Sequence, residues 1–268
     1  MAADVTSTEV AVAEPPKEPV VSEARPHRGR FIVVYALLGV ALAAAIVGVG
    51  VFAGRSINPG PTWSSWKPSG GGQGAAKQIA AHVSSSYRLP SGKQLVDVIA
   101  KAPSVSPASQ QIPIHYVVVR GTKGAEDKIV PVSSGDSVMY SLCGLGNSCS
   151  IASGKPSVER GTIVRRQILE LALYTFKYVS GMKSVIAFMP PPPGSQAQYV
   201  IYLEKSDVAD HLKMPLLRTL GPKVPLPSAI TRREQQTIDA ATEARVYKFS
   251  LSQAQQGDAI LVLAPLTA

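Results

Sequence analysis

The chain has 268 residues, of which 45% are hydrophobic and 17% charged, and its net charge is +9 at pH 7. This apolar content excludes a chain that is disordered throughout. Aromatic residues make up only 6% and no zinc-finger or RRM-like signature is present, so the sequence disfavours nucleic acid as a partner.

The first two elements are a polar tail and a hydrophobic segment. Residues 1–30 are rich in proline and acidic residues and have no apolar period, which predicts a disordered tail. Residues 31–53 contain no charged residue, and as a helix they would extend about 34 Å, enough to cross the hydrocarbon core of a bilayer. We therefore predict a single transmembrane helix, with the lipid bilayer as its partner.

Basic residues crowd the N-terminal edge of this segment, where we expect Arg28 and Arg30 to lie at the membrane interface. The positive-inside rule then predicts a single-pass protein of the cell membrane, with a cytoplasmic N-terminus and with its C-terminal domain outside. A signal peptide that is cleaved after Ala53 is the alternative. The length of the apolar segment and the thirty residues before it favour an uncleaved signal anchor.

Residues 54–74 are rich in glycine, proline and serine, which predicts a flexible linker. This linker contains the only two tryptophans of the chain, Trp63 and Trp66. Because amphipathic rings are enriched where a membrane meets water, we expect both side chains at the membrane interface. A pair of rings that stacks on a ligand is the alternative.

Residues 75–268 have the pattern of a single extracytoplasmic α+β domain. Apolar spacing predicts helices at 75–87, 92–101, 157–179, 206–220 and 232–245, with a break at Pro215. Runs of β-branched and aromatic residues predict strands at 112–120, 129–132, 137–142, 184–189, 198–203, 246–251 and 259–263. Strands follow both strands and helices, which favours a mixed or antiparallel sheet, packed on the long helix.

The long helix at 157–179 has a candidate capping residue, Ser157, and an apolar stripe. Its exposed side is expected to carry its polar residues, Arg165, Arg166, Glu170 and Lys177. A basic surface formed by Arg165 and Arg166 together with Arg232 and Arg233 is the functional alternative to an ordinary solvated face.

Four consecutive prolines at 190–193 separate two of the predicted strands. Proline cannot donate a backbone hydrogen bond to a sheet, so we expect a stiff and exposed loop. Recognition of this segment by a partner as a polyproline ligand is the alternative.

The only two cysteines, Cys143 and Cys149, enclose a glycine-containing loop that can fold back on itself. Outside the cytoplasm such a pair is free to oxidise, and we predict a disulfide that fixes the shape of one loop. A nucleophilic Cys143 with His115 as its base is the alternative, which requires a reduced thiol.

No motif supplies a complete catalytic or metal-binding set. Asp207 and His211 are spaced by one helical turn, but two ligands do not make a zinc site, and no HExxH or Cys/His cluster supplies the others. A GxSxG elbow and a complete phosphate-binding loop are absent as well. We therefore predict no metal or cofactor.

The basic charge suggests what the domain binds. Residues 1–30 hold four Lys or Arg and five Asp or Glu, whereas residues 55–268 hold 23 Lys or Arg and 13 Asp or Glu. We expect a bacterial envelope protein, since the composition resembles that of a high-GC bacterium, whose domain binds a partner protein or an anionic envelope component. An envelope hydrolase or transferase is the alternative, with a site around Cys143, His115 or the Asp207 and His211 pair.

Overall fold

The computed structural model describes residues 62–106, 110–122, 124–254 and 257–266. The predicted tail at 1–30 and the predicted span at 31–53 lie outside these ranges, and so do Arg28 and Arg30. Among the described residues, no helix combines the length and the apolar character that crossing a membrane requires.

The described residues form a mixed α+β fold. Its strands are β1 (Val96–Lys101), β2 (Ser104–Val105), β3 (Ile112–Val119), β4 (Lys128–Pro131), β5 (Ser137–Gly144), β6 (Ser184–Phe188), β7 (Tyr199–Glu204), β8 (Val246–Gln253) and β9 (Ala259–Pro265). Its α-helices are α1 (Gly72–Ser86), α2 (Val158–Tyr178), α3 (Ala209–Lys213), α4 (Leu216–Thr219) and α5 (Arg232–Thr242). Each predicted strand is confirmed, with bounds that differ by at most two residues.

All nine strands belong to one sheet, in the order β1-β5-β6-β7-β8-β9-β3-β2, and β4 also pairs with β3. The pairs β5–β6 and β3–β9 are parallel, whereas the other pairs are antiparallel. Val117 of β3, for example, lies opposite Leu261 of β9 on one side and opposite Val130 of β4 on the other. The predicted mixed sheet is therefore confirmed.

The sheet separates two hydrophobic cores. One lies between the sheet and the helices and includes Leu171 of α2 and Ile238 of α5. The other consists of side chains from strands, among them Val117 of β3, Met139 of β5 and Leu261 of β9. Because strands that are far apart in the sheet order share this second core, the sheet curls around it into a largely barrel-like layer.

Helix α2 connects the parallel strands β5 and β6 and is buried along most of its length. Ser157 caps its N-terminus, since Ser157 Oγ accepts a hydrogen bond of 3.2 Å from the backbone N–H of Arg160. This bond satisfies a donor that has no partner within the helix. Near the other end, Thr175 Oγ1 lies 2.7 Å from Tyr140 Oη of β5. The predicted long helix and its cap are confirmed.

The helix predicted at 92–101 is wrong, because this segment forms strand β1. The buried side chains are Val96, Val98 and Ala100, which alternate with exposed ones, and Ile99 is 51% exposed. Alternation with a period of two is the pattern of a strand. Antiparallel pairing with β5 supplies the backbone hydrogen bonds that a helix would otherwise provide.

The prediction that Arg166 marks the exposed side of the long helix is also wrong. Its side chain is 1% exposed. The guanidinium donates to Tyr87 Oη at 2.6 Å, Glu234 Oε1 at 2.8 Å, the Gly221 carbonyl at 2.9 Å and Glu170 Oε2 at 3.1 Å. These bonds satisfy a charge that would otherwise be costly to bury.

The remaining groups around Arg166 are consistent with this burial. Desolvation raises the pKa of the Glu170 carboxyl group even though Arg166 and Tyr87 donate hydrogen bonds to it. Arg165 forms an ion pair of 2.6 Å with Asp239 of α5. Because Arg165 and Arg166 both face carboxylates, they do not join Arg232 and Arg233 in the basic surface that was the sequence-based alternative.

The described part of the predicted linker, residues 62–74, packs on the domain. Trp63 is 9% exposed and belongs to the core between the sheet and the helices, so most of its ring is enclosed by protein. The backbone carbonyl of Trp63 accepts a hydrogen bond of 2.7 Å from Leu216. Burying this large aromatic side chain is stabilising. This stabilisation offsets the conformational entropy that the surrounding glycine, proline and serine residues lose when they become ordered.

Replacing Arg166 with alanine is expected to lower the free energy of unfolding by about 3–5 kcal/mol, because two buried carboxylates lose their counter-charge. Urea titration of the detergent-solubilised full chain measures this loss. The deficit should shrink at acidic pH, because burial raises the pKa of Glu170, which no longer requires a cation once it is protonated. The matched control is Arg233→Ala on the exposed side of α5, which should change stability by less than about 0.5 kcal/mol. Equal effects of the two substitutions would contradict the assigned role.

Candidate functional site

The candidate site lies where the parallel strands β5 and β6 end. Cys143 is the next-to-last residue of β5, Cys149 lies in the loop that leads from β5 into α2, and the loop after β6 carries the four prolines. Because the carboxyl ends of parallel strands meet at one edge of a sheet, both loops border the N-terminal end of α2. Two features that are 40 residues apart in the sequence thus become neighbours.

The predicted disulfide is confirmed, since Cys143 and Cys149 are bonded. The closed loop is tight, and Ser148 and Cys149 adopt positive φ angles of 53° and 61°. Gly144 is required by close packing, because a Cβ atom at this position would collide with the backbone of Ser150. The bond therefore anchors the start of the loop that borders the candidate site.

The two loops and α2 enclose a cleft of about 300 Å³, which we call the proline cleft. Its lining residues are Ile151, Gly154, Pro156, Ser157, Arg160, Gly161, Val164, Met189, Pro190, Pro191, Pro192, Pro193 and Tyr199. Proline rings fix the backbone of one wall, and a turn closes it, with the Ser195 N–H donating to the Pro192 carbonyl at 3.1 Å. The cleft is a largely apolar cavity with few polar groups, which is the usual composition of a binding site.

Arg160 supplies the positive charge of the proline cleft. Its guanidinium lies against Gly154, whose φ of 79° favours glycine and whose missing side chain leaves the space that the guanidinium occupies. Among the residues that the structure describes, no carboxylate forms an ion pair with Arg160. The N-terminal end of a helix of 21 residues adds further positive potential here.

Glu159 is the acidic residue next to Arg160. Hydrogen bonds from its own backbone N–H and from Ser157 keep the pKa of its carboxyl group below the ordinary value. This carboxylate does not line the proline cleft. Glu159 therefore lies in the first turn of α2 outside the cleft, whereas Arg160 is part of the lining.

The residues proposed for catalysis do not come together. Cys143 is bonded to Cys149, so its thiol is not available, and His115 Nε2 lies 3.9 Å from Asp258. Asp207 and His211 also have separate surroundings. Within the described ranges, no three His, Cys, Asp or Glu side chains are grouped as metal ligands.

Asp207 and His211 have structural partners of their own. Asp207 forms an ion pair of 2.6 Å with Arg245 and accepts a hydrogen bond of 2.8 Å from the backbone N–H of Glu204. His211 Nδ1 lies 3.3 Å from Thr219 Oγ1. The predicted spacing of one helical turn is not realised, because residues 205–208 form a 3-10 turn before α3 begins.

The proline cleft was not predicted from the sequence. The sequence predicts its two walls only as separate features, a disulfide loop and a stiff proline loop. The signal that joins them is the order of strand, long helix and strand at 137–142, 157–179 and 184–189, which is typical of a parallel crossover with both loops at one sheet edge.

Comparison of this chain with protein-family models, with curated proteins and with solved structures found no match.

Replacing both cysteines with serine is expected to lower the free energy of unfolding by about 2–3 kcal/mol, because the small ring no longer restricts the unfolded chain. Urea titration measures this change. The native protein in a reducing agent should match the variant, and the reducing agent should leave the variant unchanged. A native protein that keeps its stability after reduction would contradict this role of the disulfide.

Proposed function

We propose that this protein is a membrane-anchored binding module whose extracytoplasmic domain holds a segment of a partner protein in the proline cleft. The observation that carries the proposal is the cleft itself, an apolar cavity walled by two rigid loops with the cation of Arg160 at its edge. The bacterial envelope location, the anchor at 31–53 and the cytoplasmic N-terminus are parts of the proposal that rest on the sequence patterns.

The size and chemistry of the proline cleft favour a peptide segment. A volume of about 300 Å³ is at the lower end of ligand pockets and accommodates a few side chains. The apolar surfaces of Val164, Met189 and Tyr199 suit an apolar side chain, and Arg160 suits a carboxylate next to it. We therefore propose an occupant that carries an apolar residue together with an acidic group.

The rigidity of the walls supports binding. The prolines at 190–193 and the disulfide loop are held in one conformation before a partner arrives, so little conformational entropy is lost on binding. Catalysis by Cys143 lacks comparable support, because the sulfur that would serve as the nucleophile forms the disulfide.

A random peptide display library, presented to the full chain in lipid nanodiscs, tests the proposal. We expect the selected peptides to combine an apolar residue with Asp or Glu. Arg160→Gln should weaken binding of these peptides by about ten- to hundredfold, because hydrogen bonds to a charged group contribute roughly 1.5–3 kcal/mol. Isothermal titration calorimetry with the purified variants measures the change.

The matched control is Arg233→Gln, which removes an exposed arginine that does not line the proline cleft. This variant should bind the selected peptides as the native protein does. Selected peptides without an acidic residue, or equal affinity for both variants, would show that Arg160 does not define the ligand. Failure to select any peptide would contradict the proposed binding of a partner segment.

A further inference from the structure

A second surface lies at the opposite end of α2 from the proline cleft. It is an open hollow of about 690 Å³ lined by residues 62–67, Lys177, Tyr178 and residues 213–215. Three lysines, Lys67, Lys177 and Lys213, belong to this lining, and we call it the lysine hollow.

The floor of the lysine hollow is aromatic and firmly packed. The ring of Trp63 meets the edges of Tyr174 and Tyr178, with centroids 5.4 and 5.5 Å away. Trp66 stacks on His82 at 3.9 Å with an angle of 7° between the rings. Stacked and edge-to-face contacts of this kind stabilise a fixed arrangement. The lysines are therefore presented on a rigid base.

The charge of the lysine hollow is predominantly positive. Lys177 Nζ donates a hydrogen bond of 3.1 Å to the Leu212 carbonyl and lies 5.7 Å from the centre of the Trp63 ring. Lys213 pairs with Asp210 at 2.8 Å on the open surface, where an ion pair contributes little. In the part of the chain that the structure describes, Lys67 forms no ion pair. The three lysine side chains are thus balanced by a single carboxylate, that of Asp210, which pairs with Lys213 only.

Met214, which lines the lysine hollow, and Leu217, three residues further along the chain, both project into solvent. Met214 is 38% exposed and Leu217 is 64% exposed. Both follow Lys213 closely in the sequence, and the neighbouring Leu216 binds the Trp63 carbonyl through its N–H group. Lysines that flank exposed apolar side chains are typical of surfaces that bind the headgroup region of an anionic membrane.

The position of the hollow in the chain adds a further argument. The predicted span ends at Ala53, and Thr62 is the first residue that the structure describes, so eight residues separate them. A fully extended chain of this length reaches about 30 Å at most. A membrane anchor at 31–53 would therefore keep this surface close to the bilayer, at a high effective concentration of lipid headgroups.

We propose that the lysine hollow docks the domain on the anionic phospholipid headgroups of the bilayer that holds the anchor. In this arrangement Lys67, Lys177 and Lys213 contact lipid phosphates, and Met214 and Leu217 enter the interfacial region. The inference rests on the membrane anchor of the proposed function and does not depend on the proline cleft.

The two tryptophans provide an intrinsic probe of this surface, because the sequence contains no others. The full chain is reconstituted into phosphatidylcholine vesicles, with or without phosphatidylglycerol, that carry a headgroup spin label as a quencher. We expect stronger quenching of tryptophan fluorescence in the anionic vesicles and a decrease at high salt, since salt screens the attraction. Equal quenching in both kinds of vesicle would overturn the proposal.

The variant Lys67→Glu/Lys213→Glu is expected to shift the docking equilibrium by at least about thirtyfold, because each lost lysine contributes about 1 kcal/mol and each new glutamate is repelled by the anionic lipids. It leaves Lys177, which packs on Trp63, in place. The matched control is Lys93→Glu/Lys248→Glu, which changes the net charge equally at exposed positions outside the hollow. The control should keep the quenching of the native protein, and loss of quenching in both variants would overturn a site-specific role.

Failures of the separate proposals are distinguishable. A chain that does not enter vesicles would overturn both the anchor and the docking, whereas peptide binding to the proline cleft would be unaffected. A chain that enters vesicles and binds selected peptides, but shows no lipid-dependent quenching, would overturn the docking alone.

Discussion

The burial of α2 against the sheet is the constraint on which the rest of the structure depends. This helix joins the parallel strands β5 and β6, and it contributes Ile168, Leu171 and Ala172 to the main core. Because it is fixed to β5 and β6 at both ends, the loop that leads into it and the loop that follows β6 are held at one sheet edge. Displacement of α2 would separate the walls of the proline cleft and break the contacts of Trp63 with Tyr174 and Tyr178.

The buried cluster around Arg166 specifies how the surrounding elements meet α2. Its hydrogen bonds reach Tyr87 after α1, the Gly221 carbonyl and Glu234 of α5. Burying an ion pair is seldom more stabilising than burying apolar side chains of the same volume. The contribution of the cluster is therefore the selection of one arrangement, since any shift of α5 along α2 would leave a buried charge without its partner.

The sequence predicted the elements that depend on local pattern and missed those that depend on distant partners. The strand at Ile112–Val119 and the long helix behind its Ser157 cap follow from alternation and from a capping residue. Strand β1 was misread because the spacing of a few apolar residues also fits a helix, and only the pairing with β5 decides between them. Arg166 was assigned to the surface because its acidic partner Glu234 lies 68 residues away. The proline cleft could not be predicted because it forms only when the parallel crossover brings its two loops together. The burial of Trp63 likewise depends on contacts with α2 and α4, which are distant in the sequence.

The two proposed binding surfaces are compatible because α2 separates them. Its 21 residues extend about 32 Å, with Arg160 near the first turn and Lys177 in the last. The positive end of the helix dipole faces the proline cleft, whereas Lys177 offsets the negative end at the lysine hollow. A domain docked through the hollow would therefore hold the proline cleft about 30 Å from the lipid headgroups, beyond the screening length at physiological ionic strength. A partner segment could enter the cleft without competing for the lysines, because the cation that we propose for its recognition is Arg160.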